Sequence, residues 1–145
     1  MKIRLLLIVL LCFTITISTS QNKIAKTKQA IISSVEKHEA NLIKISDEIW
    51  ALAETAFEEN NSAKILADYA EKQGFTVERD VAGMPTAFVA TYGSGSPIIS
   101  VLGEFDALPG LSQNTQPTKN PINKGGAGHG CGHNLFGAAS LGSAI

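Results

Sequence analysis

The stretch IISVLGEFDALPG, residues 98–110, joins an apolar run to a pair of carboxylates. Its first five residues, 98–102, are almost continuously apolar, which is typical of a strand buried on both faces of a sheet. Glu104 and Asp106 follow directly, at the carboxyl end of this strand, where open α/β sheets place their binding sites. The stretch therefore predicts an α/β fold with a site at this strand end.

Strand and helix patterns on either side support an α/β fold. Residues 75–80 alternate apolar and polar side chains, residues 86–92 are rich in β-formers, and a turn of Gly and Ser follows. The last stretch, residues 135–145, is helix-like and rich in Gly, Ala and Ser, so it could pack closely. Helices followed by a buried strand predict an α/β sandwich.

Two helices are predicted before the strands. Apolar residues recur every three or four positions between residues 24 and 53, which predicts one long helix. A second helix is expected to begin near Asn61 or Ser62. Gly74 should end it in a left-handed conformation, with Phe75 packing back against it.

The first twenty residues predict a secretory signal peptide rather than part of the fold. Lys2 and Arg4 form a charged start, and residues 5–17 form an almost unbroken apolar run. This run is shorter than the ~20 residues that a membrane-spanning helix needs, which disfavours the rival interpretation of an uncleaved anchor. Cleavage after Ser20 would export residues 21–145 to the periplasm or the medium, without a membrane segment.

The overall composition describes an ordinary globular chain. It has 145 residues, 44% hydrophobic and 17% charged, with a net charge of −1. These values predict a folded chain large enough for one modest domain. Because basic and acidic residues are balanced and form no run of one sign, a nucleic-acid surface is not indicated.

A second motif, GAGHGCGHN at residues 126–134, alternates glycine with three potential metal ligands. His129, Cys131 and His133 lie two residues apart, so in an extended backbone they face the same side. Thiolate, imidazole and carboxylate are the ligands of zinc and its neighbours, and Asp106 is the natural carboxylate to fix a histidine tautomer. The loop of 24 residues before the motif, residues 107–130, is long enough to suggest a functional role.

Other interpretations of this motif fit less well or stay open. A dinucleotide-binding loop needs Gly-x-Gly-x-x-Gly, and every register of the glycine run fails at the sixth position. A structural zinc site usually needs more cysteines, and Cys131 would be the only one after leader removal. A redox thiol, and a metal-binding or scaffold protein without turnover, stay open.

The motifs GEFDALPG and GHGCGHN, some twenty residues apart, resemble those of dinuclear metallopeptidases of the aminoacylase and carboxypeptidase type. The chain is most similar to their amidohydrolase subfamily, which includes hippurate and aminobenzoyl-glutamate hydrolases. The resemblance covers residues from about 35 onward and includes the helical segment EIWALAETAFEE. It implies a three-layer α/β sandwich with a central mixed sheet.

By this resemblance, Cys131 and His133 are metal ligands and Asp106 orients a ligating histidine. His129 and Glu104 are secondary candidates, and for Glu104 the capping of backbone amides in a turn is an equal alternative. The resemblance further implies two divalent ions, Zn or Mn, a bridging water and a glutamate as general base. The expected reaction is cleavage of an amide next to an amino acid, in an N-acyl amino acid, aminobenzoyl-glutamate or a dipeptide.

The resemblance also bounds what this chain should do alone. The general-base glutamate and the remaining ligands are expected beyond Ile145. Residues 21–145 are then the amino-terminal part of a catalytic domain, and this part by itself is expected to be inactive. A small-molecule amide or dipeptide is the expected substrate, and a homodimer stays open for the full-length protein.

Several conspicuous residues are predicted to be structural. His38 falls on the apolar stripe of the first helix and is expected to be a core histidine with a satisfied ring. Phe57 is expected to pack in the core. The pair Glu58 and Glu59 is expected to be a solvated helix end rather than a catalytic pair.

Overall fold

The computed structural model describes residues 2–145, with side chains from Ile24 onward. The predicted signal peptide, residues 1–20, lies outside the residues whose side chains are described. The chain divides into two units, residues 1–37 and residues 38–145. Among the residues with described side chains, no helix is both long and apolar enough to cross a membrane.

Helix α1 spans Lys2–Leu52 and includes the predicted helix of residues 24–53 except for its last residue. Its apolar stripe is buried only in the second unit, where Ile45 and Ile49 are core residues. Ile31 and Val35, on the same stripe within the first unit, are exposed. Helical periodicity thus predicted the helix correctly, whereas burial along the stripe depends on which residues lie opposite.

Helix α2 spans Asn60–Lys72 and ends as the sequence predicts. Gly74 takes a left-handed conformation with φ of 93°. The Gly74 amide donates to Glu71 O at 2.9 Å and the Phe75 amide to Ala70 O at 3.1 Å. This pair of bonds is a Schellman motif, which satisfies carbonyls that the helix end would otherwise leave unpaired.

Two short strands form an antiparallel pair. Strand β1, Thr76–Arg79, pairs with β2, Phe88–Thr91, in a register that places Val77 opposite Ala90. Both strands lie inside the ranges predicted from the sequence and are shorter at each end. Helices plus a small antiparallel sheet make the fold mixed α/β.

The prediction of a buried strand at residues 98–102 is wrong for the described residues. This segment forms no strand there, and Ile98 and Ile99 are 87% and 85% exposed. The physical reason is that a strand needs a hydrogen-bonding neighbour, and no described segment pairs with this one. Its apolar character is therefore left facing outward.

Helix α3, His133–Ala144, packs on the residues that carry the predicted site. A side chain at Gly137 would lie 3.1 Å from both the Glu104 carbonyl oxygen and the Phe105 Cβ atom. Glycine at this position therefore allows α3 to lie directly against the segment of Glu104. The core that results unites three helices through six buried side chains: Ile45, Ile49, Leu66, Ala70, Ala138 and Leu141.

The predictions for His38 and Phe57 have opposite outcomes. His38 is buried, and its Nδ1 atom lies 2.9 Å from the Tyr69 hydroxyl, so the prediction of a satisfied core histidine is confirmed. Phe57 is 70% exposed, so the prediction of a packing role is wrong for the described residues. It occupies a turn closed by the Glu58 amide and Thr55 O, with φ of 67°, which directs it away from the core.

Candidate metal centre

Two backbone connections bring the predicted site residues together. The Ala107 amide donates to Glu54 O at 2.7 Å, which attaches the segment after Asp106 to the end of α1. Leu108 and Gly128 exchange two backbone hydrogen bonds of 3.0 Å each. The long loop therefore returns to its starting point, and the motif at residues 129–134 begins beside the segment that carries the carboxylates.

His133 lies between these two carboxylates. Its Nδ1 atom is 2.7 Å from Asp106 Oδ1, and its Nε2 atom is 3.0 Å from Glu104 Oε2. His133 and Asp106 are partly buried, whereas Glu104 is half exposed. One potential ligand atom from each residue lies within 4.8 Å of the others, so the three could hold a cation.

The contact between Asp106 and His133 has the geometry that an orienting carboxylate requires. A metal-binding imidazole commonly donates its second N–H to a carboxylate, which fixes the tautomer and the ring orientation. Here Asp106 would accept from Nδ1–H, leaving Nε2 to face Glu104 and a cation. The assignment of these roles stays a prediction.

Cys131 is an exposed free thiol two residues before His133. It does not belong to the cluster of Glu104, Asp106 and His133. Gly132, which lies between the two predicted ligands, takes a left-handed conformation with φ of 82° and precedes α3. His133 is thus the first residue of a helix, whereas Cys131 lies on the turn before it.

His129 is also outside the cluster and contacts α1 instead. Its Nε2 atom lies 3.0 Å from Ile49 O, and its Nδ1 atom is buried without a hydrogen-bond partner among the described residues. Burial lowers the pKa of His129 below its usual 6.5, an effect that the nearby His133 increases. The hydrogen bond to Ile49 and the charge of Asp106 oppose this change in the pKa without cancelling it.

The glycines of the motif contact their own loop. A Cβ atom at Gly128 would lie 2.2 Å from Leu111 O, and one at Gly130 would lie 2.5 Å from Leu111 Cδ1. At Gly128 the clash is with backbone, so glycine is needed there, whereas at Gly130 the clash is with the end of a flexible leucine side chain that can move. Gly128 therefore allows the two halves of the loop to pack on each other.

Two glutamates before α2, Glu54 and Glu59, have surroundings that the sequence does not predict. Glu54, at the end of α1, accepts four hydrogen bonds from the backbone and side chains of Asn61 and Ser62. Glu59 is only 7% exposed, and its Oε2 atom has no partner among the described residues, so the predicted solvated pair is wrong for this residue. No sequence signal identifies Glu54, because it caps a helix that begins six residues later.

Comparison with characterised proteins supports the family resemblance. No protein-family model matches the chain. It is 48% identical over 118 residues to a subunit of the p-aminobenzoyl-glutamate hydrolase of Escherichia coli strain K12, covering 79% of this chain and 24% of that protein. It is 32% identical over 115 residues to thermostable carboxypeptidase 1 of Saccharolobus solfataricus, covering 77% of this chain and 28% of the relative.

A second carboxypeptidase of that organism, thermostable carboxypeptidase 2, is 30% identical over 114 residues, again covering 77% of this chain and 28% of the relative. The chain spans about a quarter of the length of the curated relatives that it matches. The resemblance inferred from the two motifs is thereby confirmed: over the part that aligns, this chain belongs to a family of amidohydrolases and peptidases.

Proposed function

We propose that the protein carrying this chain is a metal-dependent hydrolase that cleaves an amide bond next to an amino acid. The observation that carries the proposal is the His133 imidazole held between Asp106 and Glu104, in a chain 48% identical to part of a p-aminobenzoyl-glutamate hydrolase. The substrate class is an N-acyl amino acid, aminobenzoyl-glutamate or a dipeptide.

The donor set suits a divalent cation. His133 Nε2 and a Glu104 oxygen would bind it, Asp106 would hold His133 by accepting from Nδ1–H, and Cys131 would add a thiolate from the adjacent turn. Imidazole, thiolate and carboxylate together favour zinc, and manganese is the alternative. A bound cation would also compensate for the closeness of the two carboxylates, which otherwise repel each other.

The contribution of these residues to hydrolysis is binding and orientation. A divalent cation at such a site polarises an amide carbonyl and makes bound water a stronger nucleophile. Asp106 keeps the His133 ring in one tautomer and one orientation. The general base is not assigned to any of the 145 residues.

Metal binding can be tested on this chain directly. Titration with Co²⁺, followed by the thiolate-to-cobalt absorption band, should show one thiolate ligand in the wild-type chain. Cys131→Ser should abolish that band. In the unprocessed chain of 145 residues, Cys12→Ser is the matched control, because it changes the other cysteine, and it should leave the band unchanged. A band that survives Cys131→Ser would refute the assignment of Cys131.

Turnover is tested on the complete gene product that carries this chain. We expect hydrolysis of p-aminobenzoyl-glutamate or of an N-acyl amino acid, loss of activity on chelation, and recovery with Zn²⁺ or Mn²⁺. Hydrolysis that resists chelation would refute metal dependence. Tight metal binding without hydrolysis of any of these amides would instead favour the alternative of a non-catalytic metal-binding protein.

The proposal includes three further expectations. The leader, residues 1–20, should direct export, so mass spectrometry of the exported protein should find a mature amino terminus at Gln21. The three-layer sandwich requires residues 98–102 to become a paired strand in the complete protein. Two divalent ions per protein are expected and can be measured by elemental analysis, and light scattering decides between a monomer and a homodimer.

A further inference from the structure

Two contacts, one partly buried and one buried, attach the metal motif to one face of α1. His129 lies 3.0 Å from Ile49 O through its Nε2 atom. Asn134 donates from Nδ2 to Ser46 Oγ at 3.1 Å and to Ser46 O at 3.3 Å. Ser46 and Ile49 are three residues apart, so they lie on the same face of the helix.

The two contacts flank the predicted ligands. His129 precedes Cys131, and Asn134 follows His133. Both predicted ligands therefore lie between two residues that are attached to α1. We refer to residues 129–134 as the ligand segment. His129, a secondary ligand candidate from the sequence, lies outside the cluster, and Asn134 has no predicted role; these are the two residues that make the contacts.

The surroundings make both contacts hard to replace. Ser46, Ile49 and Asn134 are all buried, so water cannot substitute for a lost partner. A carbonyl oxygen can only accept, so His129 must carry its proton on Nε2, and its buried Nδ1 atom is then an unprotonated acceptor. One tautomer of His129 is therefore specified by the end of α1.

We propose that His129 and Asn134 are positioning residues, which hold the ligand segment on α1 so that Cys131 and His133 are correctly placed before a cation binds. The predicted effect of this attachment on metal affinity rests on the proposed function, whereas the attachment to α1 itself does not. A segment that is already ordered loses less conformational entropy on binding, so its affinity is higher.

The proposal also predicts coupling in the opposite direction. If attachment to α1 favours cation binding, cation binding must favour the attachment by the same factor. Zinc should therefore slow amide hydrogen exchange at the end of α1, around Ile49 and Ala53. The Ala53 amide is suited to this measurement because it donates to Ile49 O, the same acceptor that His129 uses.

The test compares His129→Gln with His129→Asn. The glutamine nitrogen lies at about the position of Nε2 and can still donate to Ile49 O, whereas the asparagine nitrogen lies at about the position of Nδ1 and cannot. The zinc dissociation constant should be close to that of the wild type for His129→Gln and larger by about 10-fold or more for His129→Asn. Ser46→Ala tests the second attachment with a milder change and should also weaken zinc binding.

His38→Gln is the control for general loss of stability. It removes another buried histidine contact, the one to Tyr69, which is far from the ligand segment in sequence. It should lower the melting temperature and leave the zinc dissociation constant unchanged. If His38→Gln weakens zinc binding as much as His129→Asn, the effect is general destabilisation and the proposal is wrong.

Two measurements on metal-free protein separate this proposal from the proposed function. Nitrogen NMR of the imidazole should show His129 protonated on Nε2, and amide exchange in residues 129–134 should accelerate in His129→Asn but not in His129→Gln. If both of these results are found and the wild type does not bind zinc, the attachment to α1 is supported and the metal site is refuted. A proton on Nδ1, or equal exchange in the two variants, would overturn the attachment whether or not zinc binds.

Discussion

Substitution of Glu54 by Gln should destabilise the chain through the start of α2. The Glu54 carboxylate accepts from the Asn61 amide at 3.1 Å and from the Ser62 amide at 2.8 Å, which are first-turn donors without partners inside the helix. It also accepts from Asn61 Nδ2 and from Ser62 Oγ, at 2.7 Å each. Glu59, the residue at the cap position itself, provides no side-chain cap.

The size of the effect follows from what glutamine retains. Its carbonyl oxygen replaces one acceptor, but its amide nitrogen cannot accept from the donors that face the second oxygen, and the negative charge at the helix start is lost. Loss of a helix cap costs about 1 kcal/mol, and loss of a favourable charge at a helix start up to about 1 kcal/mol more. We expect a loss of about 1–2 kcal/mol, or about 4–8 °C in melting temperature.

The pH dependence gives a sharper test. Burial raises the pKa of Glu54, but the hydrogen bonds from Ser62 and Asn61 lower it by more, so it lies below the usual 4.5. A lowered folded-state pKa contributes stability that is present above the unfolded-state value and is lost as the pH falls through the folded-state value. The difference in free energy of unfolding between wild type and Glu54→Gln should therefore be largest at neutral pH and should decrease below pH 4.5.

Thermal unfolding of both proteins, followed by circular dichroism from neutral pH to below pH 4.5, measures this difference in stability. Glu58→Gln is the matched control, since it makes the same charge change on an exposed neighbour, and it should leave the melting temperature almost unchanged. The reasoning fails if Glu54→Gln is as stable as wild type at neutral pH, or if the difference is the same at acidic pH.

Three further predictions concern the site and its surroundings. Gly128→Ala would place a Cβ atom 2.2 Å from a backbone oxygen and should lower the free energy of unfolding by about 3 kcal/mol, measured by thermal unfolding. Gly125→Ala is the control: Gly125 has φ of 78° and open space around it, so the loss should be about 1 kcal/mol. Equal losses would contradict this prediction. Asp106→Ala removes the carboxylate oxygen that lies 2.7 Å from His133 Nδ1, and it should weaken zinc affinity about 10- to 100-fold, measured by calorimetric titration. Unchanged affinity would mean that this contact does not orient the ligand. Ile99→Lys places a charge on the exposed apolar segment and should reduce concentration-dependent association of the chain in analytical ultracentrifugation. Association equal to that of the wild type would contradict this prediction.

Local sequence patterns predicted the elements that local physics determines. Gly74 ends α2 because glycine adopts the required positive φ at little cost, so the residue type alone identifies the helix end. Alternating and β-branched residues likewise located β1 and β2, with errors only at the ends. The spacing of the second motif did not show which of its residues meets the carboxylates: His133 lies between Glu104 and Asp106, whereas His129 and Cys131 lie outside that cluster.

What the sequence could not predict depends on residues far apart in the chain. Residues 98–102 have the composition of a buried strand, but burial needs a neighbouring strand that the described residues do not supply. The contact between His129 and Ile49 joins residues 80 positions apart, and no periodicity indicates it. Glu59 looks like a solvated charge in sequence, yet the packing around the start of α2 leaves it buried.

The double hydrogen bond between Leu108 and Gly128 separates the site from the loop that it closes. Because its two ends are held together, the intervening segment can grow or shrink without moving Asp106 or the ligand segment, and loop length itself costs little free energy. Insertions there would alter the surface around the site while leaving the positions of Asp106 and the ligand segment unchanged. This loop is therefore the part of the chain where an engineer could graft a new recognition loop.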